Sequence, residues 1–349
     1  RQGWARRSAL RRTLGALALS LTFFLLGPLV QAPAGAAVRA GRPEFLNNRA
    51  ADVTGVRPLR LAEVAAPNGL TGRGQILGLA DSGLDGGSLS DLHPDLVASG
   101  SQKSKVVKLQ SLAGRAVPDD PNGHGTHMAG TMAGTGKASQ GQFRGLAPEA
   151  GLYFQALLNT EGELSPPSDL KELFGPAYQA GVRVHVNGWG GGLNEYREAT
   201  AQIDAFIRSQ PDFLPVFGAG NAGPALGTLT NEANAKNALI VGASANPRPA
   251  LDPQALDPLR PVSFSSRGPT QDGRLKPDLL APGQAIVSTR SRLIESNFPA
   301  NEAYAVMGGT SMAAAVAGAS LGLLREYLEE AQGLADPSAA LLKALLING

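Results

Sequence analysis

The stretch Gln75-Ile76-Leu77-Gly78-Leu79-Ala80-Asp81-Ser82-Gly83 decides the fold. A short apolar run bounded by turn residues reads as a strand buried on both faces. This one delivers a carboxylate, Asp81, at its carboxyl end. Working outward, the same pattern recurs at Val106–Leu109, Leu152–Leu157, Val182–Val186, Leu214–Phe217 and Ala238–Val241. Helical patterns lie between these runs: His124 to Ala133, Ser168 to Ala180, and Asn194 to Arg208. Ser168 is placed to cap the second of them, and Gly181 to end it. Strands alternating with helices predict an α/β fold with a mostly parallel central sheet and helices on both faces. Ligands in such sheets bind beyond the carboxyl ends of the strands. Asp81, the glycines after Val186 and Asn221 all fall there.

Composition allows this reading. The chain has 349 residues, of which 43% are hydrophobic, enough for a large core. Cysteine is absent, which excludes disulfides and thiolate metal sites. The net charge of +2 hides an asymmetry, because residues 1–50 hold eight arginines and one glutamate. The remainder is acidic, so nucleic-acid binding is not expected.

The first 37 residues have the pattern of an export signal. Arg1, Arg6, Arg7, Arg11 and Arg12 precede an apolar core from Leu14 to Leu26, and small-residue sites follow Gly27-Pro28. A secreted protein without a membrane anchor after signal removal is expected. Residues 38–50 read as a linker or a short pro-segment, and 51–349 as the globular domain. The chain stops at Leu346-Ile347-Asn348-Gly349, at or inside a helix, from which an incomplete C-terminus is expected.

A second stretch carries chemistry. Met307-Gly308-Gly309-Thr310-Ser311-Met312-Ala313-Ala314-Ala315 places a serine in the first turn of a buried, small-residue helix. The helix N-terminus offers free N–H groups and a positive dipole end to developing negative charge. A serine hydroxyl is a weak nucleophile and requires a base, which in turn requires an orienting group. His124 is the natural base, Asp81 the natural orienting carboxylate, and Asn221 an amide donor for an oxyanion beside the Ser311 N–H. Each has a blander reading: Asp81 as a turn cap, Asn221 as a turn residue, Ser311 as a helix cap. His124 and His127 stand three apart, but Gly125-Thr126 lie between them where a zinc hydrolase would carry its glutamate. His127 is expected to pack behind the site, and His93 and His185 receive no role.

Four ordered blocks change that balance. Asp81-Ser82-Gly83, Asn122 to Gly130, Gly220-Asn221 and Gly309 to Ala313 resemble the signature blocks of the subtilisin-like serine proteases, the subtilases. Phe264 to Thr270, Asp272 to Asp278 and Ala281-Pro282-Gly283 resemble a further block. The resemblance runs from about Ala51 to Gly349 and is strongest to the bacterial alkaline-protease branch with a C-terminal β-barrel domain. It implies a subtilisin-like three-layer fold and a monomeric endopeptidase acting on proteins or peptides. Asp81, His124 and Ser311 would be its triad and Asn221 its oxyanion donor. Gly188, Trp189 and Gly190 would form the strand that pairs with substrate. Gly218, Ala219 and Gly220 would form the opposite wall of the specificity pocket. Catalysis would require no cofactor. A structural calcium would fit the family, with no ligands assigned; the loop carboxylates Asp85, Asp119 and Asp120 are expected to face solvent. Three positions depart from the pattern: Ser82 stands for Thr, Gly188 for Ser, and Ala314-Ala315 for Thr-Pro. Gly188 is expected to loosen the substrate strand, and the missing proline to blur the placement of Ser311.

Overall fold

The structure, a computed structural model, describes residues 48–98, 103–247 and 257–348. The signal segment 1–37 and the linker as far as residue 47 lie outside the described residues. Helix α1 (Asn48–Val53) spans the expected boundary at residue 51 and buries Ala50 and Ala51 in the core. Helix α2 (Val56–Leu59) follows and buries Val56.

Seven parallel strands form the central sheet: β1 (Ile76–Asp81), β2 (Val106–Ser111), β3 (Gly151–Ala156), β4 (Val184–Asn187), β5 (Leu214–Gly218), β6 (Leu239–Ser244) and β7 (Leu279–Pro282). Their order is β2-β3-β1-β4-β5-β6-β7. β1 lies near the middle, in register with β3 through Asp81↔Ala156 and with β4 through Ala80↔Asn187. Its residues from Leu77 to Asp81 are all buried, which is why the run is continuously apolar up to the carboxylate.

Helices α3 (His124–Ala133), α4 (Lys171–Gln179), α5 (Glu198–Ser209) and α6 (Thr310–Glu326) connect and cover the strands. Strand β4 shows that they lie on both faces. A Cβ added at Gly318 of α6 would meet Val186 Cγ2, so Val186 points at α6. The neighbouring His185 points the other way, with its ring 5.2 Å from that of Phe174 in α4. Alternate strand residues face opposite sides, so α4 and α6 sandwich the sheet. Small residues along α6 let its backbone approach the strands, and Ala313 to Ala319 are buried. On the other side Phe174, Phe206 and Phe213 form an aromatic cluster with ring centroids 5.1–5.6 Å apart.

Two short strands, β8 (Ile286–Thr289) and β9 (Tyr304–Met307), pair antiparallel and lead into α6. A final helix, α7 (Ala339–Asn348), follows. Two expected helix starts are corrected. α4 begins at Lys171 instead of Ser168, and its first turn is supported by Asp169 Oδ1, which accepts the Lys171 N–H at 2.9 Å. α5 begins at Glu198, since Asn194 has φ 57°, outside helical space. Gly181 past the end of α4 has φ 91°, as its ending role requires.

Candidate active site

The carboxyl end of β1 and the first turn of α3 meet at Asp81 and His124. Asp81 is fully buried, and its Oδ1 accepts the His124 Nδ1–H at 2.7 Å and the Ser82 N–H at 2.7 Å. That bond fixes the tautomer and leaves Nε2 for a second partner. Burial pulls the His124 pKa down, but the Asp81 charge and hydrogen bond outweigh it, so the ring titrates above its ordinary value.

Asp120, expected to face solvent, is instead fully buried under this pair. Its Oδ1 accepts the Gly123 N–H at 2.8 Å and lies 2.7 Å from Ser82 Oγ. Its Oδ2 accepts the N–H and the hydroxyl of Thr126 at 2.8 and 2.5 Å. Asp120 therefore caps α3 and couples its first turn to the loop after β1. Burial raises the Asp120 pKa against these donors. Ser82 Oγ also accepts the Gly125 N–H at 2.9 Å, so the Ser replacing the usual Thr is fully used. The signal for Asp120 was an acidic residue four places before the helix and followed by Pro121.

Ser311 stands second in α6, partly exposed. Asn221 is held against the preceding residue: its Oδ1 accepts the N–H and hydroxyl of Thr310 at 2.9 and 3.1 Å. The Thr310 N–H must face an oxygen, so Nδ2 is the free donor. Nδ2 looks into the space before Gly309, where an added Cβ would lie 3.7 Å from it. The structure thus joins Asp81 to His124 and Asn221 to the Ser311 turn. Among the described residues no hydrogen bond links Ser311 Oγ to His124 Nε2; such contacts often tighten only with substrate.

Gly188 has a sharper role than a loosened strand. A Cβ added there would lie 1.6 Å from Asp81 Oδ2 and 2.6 Å from Met128 Sδ. Asp81 Oδ2 occupies the space that a side chain at 188 would take, and it is buried without a hydrogen-bond partner. Trp189 stacks edge-on against Phe217 at 5.4 Å, and Gly190 is exposed beside it. At the carboxyl end of β5, Gly218 abuts Thr310, Ala219 is buried, and Gly220 donates its N–H to Thr310 Oγ1 at 3.2 Å.

The remaining histidines are structural. His127 lies behind His124 with Nε2 3.0 Å from the Ile286 carbonyl, and burial lowers its pKa to about 3. His185 pairs with Gln155 at 2.9 Å and is likewise held neutral by burial, at about 3. His93 Nδ1 accepts the Asp95 N–H at 3.1 Å. Asp85 is buried and forked by Arg292, and Asp119 pairs with Arg115, so these loop carboxylates are also taken by protein donors. Among the described residues no group of three or more His, Asp or Glu is arranged to hold a metal ion. No described helix is long and apolar enough to cross a membrane.

A sequence model of the subtilase family, peptidase S8, matches residues 72–349. The chain is 31% identical over 367 residues to the serine protease/ABC transporter B family protein tagB of Dictyostelium discoideum, covering 80% of this chain and 19% of that protein. It is 30% identical over 268 residues to subtilisin Savinase of Lederbergia lenta, covering 75% of this chain and 82% of that one. Among solved structures it superposes on sphericase with a TM-score of 0.57 at 22% identity, covering 84% and 88% of the two chains. This last likeness concerns the fold. The chain spans about a fifth of the length of the Dictyostelium relative.

Proposed function

Because the chain belongs to the subtilase family, a family of serine endopeptidases, we propose that it hydrolyses peptide bonds through Asp81, His124 and Ser311. The observation that carries this reading is the 2.7 Å contact between His124 and the buried Asp81 at the carboxyl end of β1. Ser311 Oγ attacks the scissile carbonyl while His124 Nε2 takes its proton. Asp81 holds the ring and stabilises the imidazolium. The oxyanion rests on Asn221 Nδ2 and the Ser311 N–H, whose position at the start of α6 leaves it free of helix bonding. His124 then gives the proton to the leaving amine, and water, activated the same way, releases the acyl group. Extended substrate pairs with the strand around Gly188, Trp189 and Gly190, so its main chain supplies much of the binding.

The protein is proposed to act as a secreted monomer on protein or peptide substrates, as a bacterial alkaline protease does. A structural calcium enters the proposal without ligands, and no catalytic step runs through it. The test is labelling with a fluorophosphonate probe, read by mass spectrometry. An adduct on Ser311 that is lost in His124→Ala supports the reading. A folded protein that takes no label sinks it.

A further inference from the structure

The two segments that would wall the specificity pocket share one floor. Asn231 donates its N–H to Gly191 O at 2.7 Å on one side, and Thr230 donates to Ala219 O at 3.1 Å on the other. A Cβ added at Gly190 would lie 3.1 Å from Glu232 Oε2 and 3.2 Å from Thr230 Oγ1. A Cβ added at Gly220 would lie 3.0 Å from Thr230 Cγ2. Both walls therefore look onto Thr230, with Glu232 beside it under Gly190.

Glu232 is poorly compensated. It is 8% exposed, and Oε2 accepts one neutral donor, the Gly191 N–H at 2.9 Å. Among the described residues no ion pair includes it. Cations on adjoining segments are engaged elsewhere: Lys236 over the Tyr196 ring, Arg274 on Asp272, Arg197 on Glu195. A buried carboxylate without a cation is costly. Burial accordingly raises its pKa, opposed by the Gly191 N–H.

We propose that Glu232 is a specificity residue that selects lysine or arginine at P1, the residue on the amino side of the scissile bond. The inference rests on the protease reading above. The long apolar stem of such a side chain fits between glycine walls, and its charged head would reach Glu232. A carboxylate at the base of a protease pocket favours a cation through charge-assisted hydrogen bonds. The rival role is structural: Glu232 could do no more than fasten the Gly191 N–H and so shape the substrate strand.

Fluorogenic peptides that differ only at P1, carrying Arg, Lys, Gln, Leu or Phe, separate the two. The expected kcat/KM favours Arg and Lys over Leu and Phe by about tenfold or more. Glu232→Gln should remove about tenfold for Arg and Lys and leave Leu and Phe nearly unchanged. A uniform loss across all five peptides, or a wild-type preference for Leu or Phe, overturns the proposal. If Glu232→Gln fails to fold, shown by loss of Ser311 labelling, inhibition of the wild type decides. Tighter binding of a peptidyl arginal than of the matching leucinal supports the proposal, and equal binding overturns it. A wild type that is labelled on Ser311 yet ignores P1 charge overturns Glu232 alone. One that neither cleaves nor labels overturns the protease reading and the pocket with it.

Discussion

Gly188 and Asp81 cannot both carry a side chain in their present positions. The Cα of Gly188 faces Asp81 so closely that a Cβ would stand 1.6 Å from Oδ2. The glycine is therefore a condition of where the carboxylate lies, and the carboxylate orients His124. Gly188→Ala should push Asp81 or β4 aside. A displacement near 1 Å at reacting groups costs on the order of 10²-fold in rate, and overpacking costs about 1–3 kcal/mol of stability. Steady-state kinetics beside a melting curve checks this; wild-type kcat/KM in the alanine variant would refute the steric account.

The Asp81–His124 pair sets the pH profile. The His124 pKa is raised above 6.5 because the Asp81 charge outweighs burial. Only neutral His124 can accept the serine proton, so kcat/KM should climb with pH through a midpoint above 6.5. The stability contribution of the pair has the opposite sense: present below the unfolded-state value, it is lost as pH rises through the folded one. Asp81→Asn should move the kinetic midpoint to lower pH and cut kcat by about 10⁴-fold, as tautomer control is lost. An unmoved midpoint in that variant would show that Asp81 does not govern the titration.

Asp120 ties the loop after β1 to the first turn of α3 through Ser82, Gly123 and Thr126. Asp120→Ala would strip acceptors from the Gly123 and Thr126 N–H groups and from Ser82 Oγ. Loss of the α3 cap alone costs about 0.5–2 kcal/mol, and each buried donor left unpaired adds about 1–3. Asp120→Asn keeps one oxygen but turns an N–H₂ toward a donor, so its loss should fall between alanine and wild type. Urea titration of both variants in a Ser311→Ala background, which prevents self-digestion, measures the order. Equal stability of all three would mean that the network contributes nothing.

The sheet was readable because its central strands are buried on both faces. β1, β3 and β5 lie within a residue of the apolar runs that announced them. α3 matched because its apolar stretch starts where the Asp120 cap begins and ends before Gly134. β7, β8 and β9 were missed for physical reasons. β7 ends on Pro282 at the sheet edge with Leu280 exposed, and β8 passes from Ile286 and Val287 straight into the polar Ser288 and Thr289. Asp81, His124, Asn221 and Ser311 were visible as motif residues. Asp120 and Glu232 were not, since a loop carboxylate reads as solvated until the fold closes over it.

Lys105 offers a stability switch remote from the chemistry. Its ammonium is buried and donates to the carbonyls of Ala133 and, at 2.5 Å, of Pro148. Burial lowers its pKa from 10.5 to about 7, against the pull of Asp95 and Glu149. A depressed folded pKa means that the contribution to stability is present above the unfolded value and is lost as pH falls toward 7. Between those limits the unfolded chain binds more protons, so stability should rise with pH by up to about 1.4 kcal/mol per unit from this group. His124 runs the other way, so the comparison must be between variants. In a Ser311→Ala background, the melting temperature of Lys105→Met relative to its parent should fall progressively from pH 7 to pH 9. A difference that stays constant across that range would show that Lys105 remains charged throughout, with its two carbonyls compensating the burial.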